Sequence, residues 1–102
     1  MSTLYNLQQQ PLLALNGVAL KNFHDDILAH VEGDTLIDLR QQRLANVADG
    51  AVFLNGERAV AHIDDGFVVN AFDQKLARIE GGNEREQALI AAGFMLFYAG
   101  SS

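Results

Sequence analysis

Between residues 4 and 82 short apolar runs alternate with short polar clusters, and the alternation repeats every sixteen residues. Leu4, Leu20, Leu36, Val52 and Val68 form one column at that spacing. Ala29, Ala45, Ala61 and Ala77 form a second. Each of these alanines follows an apolar residue (Leu28, Leu44, Val60, Leu76) and precedes Val31, Val47, Ile63 or Ile79 by two places. Ala14, after Leu13, reads as the first member of the Ala column, displaced by one residue near Pro11. Gly17, Gly33, Gly50, Gly66 and Gly82 close the units. Asn6, Asn22, Asp38 and Asn70 stand two places beyond the first column, and Leu54 breaks that series. Several columns in phase are the signature of a repeat architecture.

Each unit holds two apolar runs, such as "TLIDL" and "RLANV", separated by the polar stretches "RQQ" and "ADG". Val, Ile, Leu and Phe favour the pleated surface of a strand, whereas Gly, Asp, Asn and Gln favour turns. Two short strands and two tight turns fill sixteen residues and leave no room for a helix, so the unit is a β-hairpin. Solenoid coils and leucine-rich repeats need roughly 20 or more residues per turn. Alternation places Ile27, Ala29 and Val31 on one face and Leu28, His30 and Glu32 on the other. The Ala/Val face is apolar in every copy, and its small side chains invite close approach by a neighbouring hairpin or helix.

The pattern changes after Gly82. In "NEREQALIAAGFMLFYAG" Asn83 and Glu86 have the spacing of a capping box, with Glu84 also in the first turn. Ala88 to Ala99 is nonpolar apart from the Tyr98 hydroxyl, and Gly100 fits a C-cap. The segment predicts a helix over 84–99, with a sixth hairpin as the competing reading because "FMLFY" is strand-like. Such a helix is about 24 Å long, short of the roughly 20 apolar residues a bilayer span needs. Being apolar on all sides, it must be buried in protein. The expected fold is mainly β: five sixteen-residue hairpin repeats in a radial or barrel-like array, with a buried C-terminal apolar helix, as one domain over 1–102 (hairpin repeats 4–82, helix 83–100).

The motifs "LYNL", "LKNF", "LIDL" and "VVNAF", with "LAHVEG", "LANVADG", "VAHIDDG" and "LARIEGG", resemble those of bacterial β-flower proteins, small folds of radially arranged hairpins. The resemblance covers residues 4–82 and implies a fold without implying an activity. Leu54, where Asn or Asp is expected, departs from that pattern.

Composition changes the picture mainly by exclusion. Net charge is −6, so a basic patch able to neutralise phosphates is not expected, and neither nucleic acid nor an anionic membrane is an expected partner. Cysteine is absent, which removes disulfides and thiolate chemistry. The start, "MSTLYNLQQQPLL", lacks a basic segment ahead of an apolar run, so no signal peptide is expected and the expected location is cytoplasmic.

The chemistry-bearing candidates sit within the repeat. His30 and His62, with Glu32 and Asp64 near them, have ligand types suited to zinc, iron or manganese. Their column also holds Asn46 and Arg78, so the scaffold repeats while the histidines vary. No HxH or HxxxH spacing makes a local metal site, and no metal or cofactor is expected. His24-Asp25-Asp26 and Asp64-Asp65 read as turns. No GxSxG, Walker A or GxGxxG motif is present. The expected function is therefore a small noncatalytic module for binding or self-assembly, with a second copy as the expected partner (a homodimer or higher oligomer). The alternative is a small-molecule or metal-dependent enzyme using the column His30, Asn46, His62 and Arg78 as its ligand-binding residues.

Overall fold

The computed structural model describes residues 1–54 and 58–99. Ten strands run in chain order: β1 (Ser2–Tyr5), β2 (Pro11–Asn16), β3 (Ala19–Asn22), β4 (Ile27–Glu32) and β5 (Thr35–Ile37), then β6 (Arg43–Ala48), β7 (Ala51–Phe53), β8 (Ala61–Asp64), β9 (Phe67–Asn70) and β10 (Lys75–Glu80). Each pairs antiparallel with its sequence neighbours, and β1 pairs with β10 to close a barrel. Closure leaves no free edge for another chain to extend. A helix follows: α1 (Glu84–Phe94), continued by a π-helical turn, Met95–Ala99. This settles the choice between helix and sixth hairpin, and Gly100 lies outside the described residues.

The helix is the core of the barrel. Ala88 through Phe94 are all buried, with Leu89 and Ile90 wholly inaccessible. Leu4, Leu20, Leu36, Val52 and Val68 face them from the wall and are also fully buried. So are Ala29, Ala45, Ala61 and Ala77, each no more than 2% exposed. Small wall residues are what let a helix fit inside so short a barrel. The interior is thus apolar and filled, while Asn46, Glu32 and their neighbours put polar groups on the outer wall. Barrels of outer membranes have the opposite polarity. Among the described residues no helix is long and apolar enough to cross a membrane.

Two details correct the reading of the sequence. First, Leu13, not Ala14, occupies the inward column. Leu13 is fully buried and pairs with Leu4, whereas Ala14 is half-buried and pairs with Thr3 and Lys21. Leu13 lies sixteen residues before Ala29, so the phase is unbroken at Pro11. Ala14 belongs to the outward column with His30. Second, the strands do not alternate simply. Pairing jumps from Leu20↔Ala29 to Lys21↔Ile27, from Leu36↔Ala45 to Ile37↔Arg43, from Leu4↔Leu13 to Tyr5↔Pro11, and from Ala77↔Val68 to Lys75↔Val69. The skipped residues are Leu28, Leu44, Leu12 and Leu76. Each is the extra residue of a β-bulge, which lets two neighbours lean toward one face. All four pack against the core. Leu28 therefore joins Ala29 on the inner side, and Ile27 is 41% exposed on the outer side, the reverse of the assignment that strict alternation gives.

The two ends of the barrel differ. At one, two-residue turns close the strand pairs. Gly17 and Gly33 have positive φ at the first turn position, and Asp49-Gly50 and Asp65-Gly66 have it at both, the II′ and I′ patterns of tight hairpins. Next to these turns Val31, Val47, Ile63 and Ile79 donate backbone N–H bonds to the carbonyls of Val18, Asp34, Gly50 and Gly66, at 2.7–2.9 Å. Donors and acceptors both recur every sixteen residues. The chain enters α1 at this end. Asn83 accepts from the Glu86 N–H at 2.8 Å while the Glu86 side chain accepts from the Asn83 N–H at 3.0 Å, completing the capping box. Arg85 ties the helix start to the wall, donating to the Gly33 carbonyl and to Asp34, both at 3.0 Å.

Candidate functional site

At the opposite end the turns are longer and share one construction. Asn6 Oδ1 accepts from the backbone N–H groups of Gln8 and Gln10, both at 2.9 Å. Asn22 does the same for His24 and Asp26, Asp38 for Arg40 and Gln42, and Asn70 for Phe72 and Gln74. A short side-chain carbonyl or carboxylate can replace the backbone acceptor of a turn in this way. The fourth residue of each loop (Gln9, Asp25, Gln41, Asp73) has positive φ, and the side-chain bonds on either side offset that strain. His24-Asp25-Asp26 is thus part of a turn, as its composition suggests. Leu54, which interrupts the Asn/Asp series, is half-buried against the core. Residues 55–57 of that turn lie outside the described residues.

With the backbone satisfied by Asn or Asp, a large apolar side chain one place further on (two in the last turn, where Ala71 intervenes) points away from the barrel. Leu7, Phe23, Leu39 and Phe72 are between 50% and 83% exposed, one on each of four turns. The π-helical turn emerges among them. Tyr98 donates to the Leu12 carbonyl at 3.4 Å, which fixes the helix exit beside the turn after β1. Phe97 and Tyr98 are about two-fifths exposed, and Tyr98 stacks on the buried Phe94 with ring centroids 6.1 Å apart. Six large apolar side chains therefore surround one end of the barrel. Monomeric soluble proteins seldom gather so many in one place without a use.

Charge is distributed unevenly as well. Among the described residues, Glu32, Asp34, Asp49, Asp64, Asp65, Glu80, Glu84 and Glu86 stand around the tight-turn end, against Arg85 and the Arg78 that pairs with Glu80. The apolar end carries Lys21, Arg40, Arg43 and Arg58 against Asp25, Asp26, Asp38 and Asp73, a balanced set among the described residues. Lys75, at the start of β10, lays its ammonium 4.3 Å from the Phe67 ring centroid on the outer wall. Among the described residues the excess of acids thus sits at the tight-turn end.

The column His30, Asn46, His62 and Arg78 lies on the outer wall, and only Arg78 reaches a turn of this end among the described residues, through Gln9. Its members sit on β4, β6, β8 and β10, each separated from the next by an intervening strand. Two strand spacings amount to about 10 Å, so the structure does not gather the four at one point. His30 pairs with Ala19 and Ile37, and His62 with Ala51 and Val69. Arg78 has its own partners: Glu80, the Gln9 side chain at 2.7 Å and the Tyr5 ring at 4.6 Å. Among the described residues no three His, Asp or Glu side chains are grouped to hold a metal ion. An open groove of about 270 Å³ lies elsewhere on the wall, lined by Met1, Ala14, Asn16, Lys21, Phe23 and Asp25.

No family model, curated protein or solved structure matches the chain. The functional reading rests on geometry alone.

The apolar end is the feature that reading the sequence for chemistry missed. Its signal was present: Leu7, Phe23 and Leu39 each follow an Asn or Asp at a fixed position in the repeat. They read as strand ends until the hydrogen bonds of the Asn and Asp side chains place them in turns.

Proposed function

We propose that this is a noncatalytic binding or self-assembly module of β-flower type, acting in the cytoplasm, whose working surface is the apolar end of the barrel. The observation that carries the proposal is the exposure of Leu7, Phe23, Leu39 and Phe72 on four turns of the same construction, together with Phe97 and Tyr98 at the helix exit. Exposed apolar side chains do nothing for a barrel whose core is already filled, and their removal from water favours association by roughly 25 cal/mol per Å² of apolar surface. The helix needs no partner to cover it, since Ala88–Phe94 are covered by the chain's own wall. Any association is left to the end where the helix emerges. The regular outer wall and the short, internally bonded turns support a binding role over a catalytic one, because an active site generally requires an irregular loop on the scaffold.

The test is a fourfold variant, Leu7→Ser, Phe23→Ser, Leu39→Ser and Phe72→Ser. These side chains are exposed, so the fold is expected to survive, as judged by circular dichroism. Binding of a dye that fluoresces on apolar surface, and self-association measured by sedimentation, are both expected to fall sharply. A folded variant that binds the dye and associates as the parent does would move the working surface elsewhere.

A further inference from the structure

The outward column of the wall has a gap. It carries His30, Asn46, His62 and Arg78 in four of its copies and only Ala14 in the other. The open groove of about 270 Å³ lies over Ala14, and Asn16, Lys21, Phe23 and Asp25 are among the residues that line it. The repeat supplies a filled copy for comparison. Arg78 of β10 pairs with Tyr5 of β1 as Ala14 of β2 pairs with Lys21 of β3. The Arg78 guanidinium lies 4.6 Å from the Tyr5 ring centroid and bonds the Glu80 carboxylate. It also donates to the Gln9 side-chain oxygen at 2.7 and 3.2 Å. Asp25 stands one repeat beyond Gln9, and the two share a backbone conformation, with φ of 67° and 68° in turns of one construction. Asn16 stands in the column of Glu80. The filled copy thus surrounds its arginine with a carboxylate and an amide oxygen, from Glu80 and Gln9. The groove holds an amide oxygen and a carboxylate, from Asn16 and Asp25. The acceptors are the same in kind and exchanged in place, and the groove has no arginine between them.

We propose that the groove over Ala14 binds a guanidinium group on an aliphatic stem, either the side chain of an arginine in another chain or a free guanidinium compound. A guanidinium is planar and presents a rigid fork of donors, so it can serve a carboxylate and a second oxygen together, where an ammonium acts as a point charge. The stem lies over the Ala14 methyl, beside Met1 and Phe23, which also line the groove. The exposed Phe23 ring offers the cation an aromatic face in place of Tyr5. Lys21 is the competing cation. It stands where the filled copy has Tyr5, and its ammonium reaches Asp25 Oδ1 at 3.5 Å. That contact is long and open to solvent, so it is easily shared. Asp26, next in the same turn and also exposed, adds a second carboxylate. The net charge of −6 draws cations toward the chain as a whole. The site is on the outer wall, and the inference does not depend on the apolar end being the working surface.

Titration of the full, isotope-labelled chain followed by nuclear magnetic resonance tests this. The probes are n-butylguanidinium, N-acetyl-arginine methylamide and, as a control with the same charge and no fork, n-butylammonium. n-Butylguanidinium is expected to shift the backbone amides of Ala14, Asn16, Lys21 and Asp25 with a Kd of about 1 mM, and n-butylammonium to bind roughly tenfold more weakly. Ala14→Arg places the chain's own guanidinium in the groove and is expected to abolish the shifts. Asp25→Asn keeps an oxygen and removes the charge, and is expected to weaken binding roughly tenfold. Lys21→Tyr removes the competing cation and restores the ring of the filled copy, and is expected to tighten binding severalfold. Circular dichroism checks that each variant is folded. Asn tolerates the positive φ of Asp25, so Asp25→Asn carries the test if a substitution on the wall disturbs the strands. Tighter binding of the blocked arginine than of n-butylguanidinium assigns the site to an arginine side chain of another chain, and the reverse assigns it to a free compound. Three results would each overturn the site: no shifts in the parent at about 20 mM probe, equal affinity for n-butylammonium, or undiminished binding in a folded Ala14→Arg or Asp25→Asn variant.

Discussion

Gly93 of the central helix lies so close to Leu20 of β3 that a single added carbon on Gly93 would collide with the Leu20 side chain. Leu20 is fully buried, so it has nowhere to turn. Glycine in a helix costs about 1 kcal/mol relative to alanine, and here it is what allows the helix to approach the wall. Gly93→Ala is expected to lose stability despite the better helix propensity, by about 1–2 kcal/mol once the overpacking is counted. Combining it with Leu20→Ala should cost less than the two single changes added together. The comparison of urea midpoints decides it: additive losses would mean that the two residues do not press on each other.

The lumen-facing alanines give a test of the register. Ala45→Leu and Ala61→Leu place three extra carbons in a filled interior and are each expected to cost about 1–3 kcal/mol. Ala14→Leu, on the outer wall, is expected to change stability by less than about 0.5 kcal/mol. A large loss at Ala14 with none at Ala45 would restore the shifted phase that the sequence alone suggests.

The repeated turn depends on one acceptor atom. Asn22→Ala or Asn70→Ala removes the oxygen that two backbone N–H groups share. Both turns are exposed, so water replaces part of the loss, and about 1 kcal/mol is expected for each. Asn70→Asp is expected to be nearly neutral, because Asp38 fills the same role elsewhere. Urea denaturation separates these outcomes, and equal losses from Ala and Asp would show that the acceptor oxygen is not what matters.

The helix is required for the barrel to exist. Leu89→Ala and Ile90→Ala each empty space at the centre and are expected to cost about 2–5 kcal/mol. Removing residues 84–102 takes away the whole inner layer, and the remaining strands are expected not to fold by circular dichroism. A truncated chain with the parent's strand signal and a cooperative melt would contradict this.

His30→Ala and His62→Ala, by contrast, are expected to leave the melting temperature within about 1–2 °C of the parent, since the same outward column accepts Asn46 and Arg78 and surface changes are usually small. Zinc added to the parent is expected to leave its melting temperature unchanged. A rise with zinc that disappears in both His variants would point to a metal site on the outer wall.

The sequence by itself determined the sixteen-residue period, the apolar column from Leu4 to Val68, the buried alanines and the capped start of the helix. Each of these is a local property: a period, a small residue or a cap is written in neighbouring residues, and hydrogen bonding or sterics enforce it without reference to the rest of the chain. Tertiary structure decided the rest. The bulges at Leu12, Leu28, Leu44 and Leu76 invert simple alternation, and a bulge becomes visible only when one strand is laid against its partner. Closure of β1 on β10 joins residues far apart in the chain, such as Leu4 and Ile79. That closure is also what carries Leu7, Phe23, Leu39, Phe72 and Phe97 to one end and most of the acids to the other. Net charge is a sum over the whole chain and holds no record of where the charges lie, so the gathering of acids around the tight-turn end emerged only with the barrel.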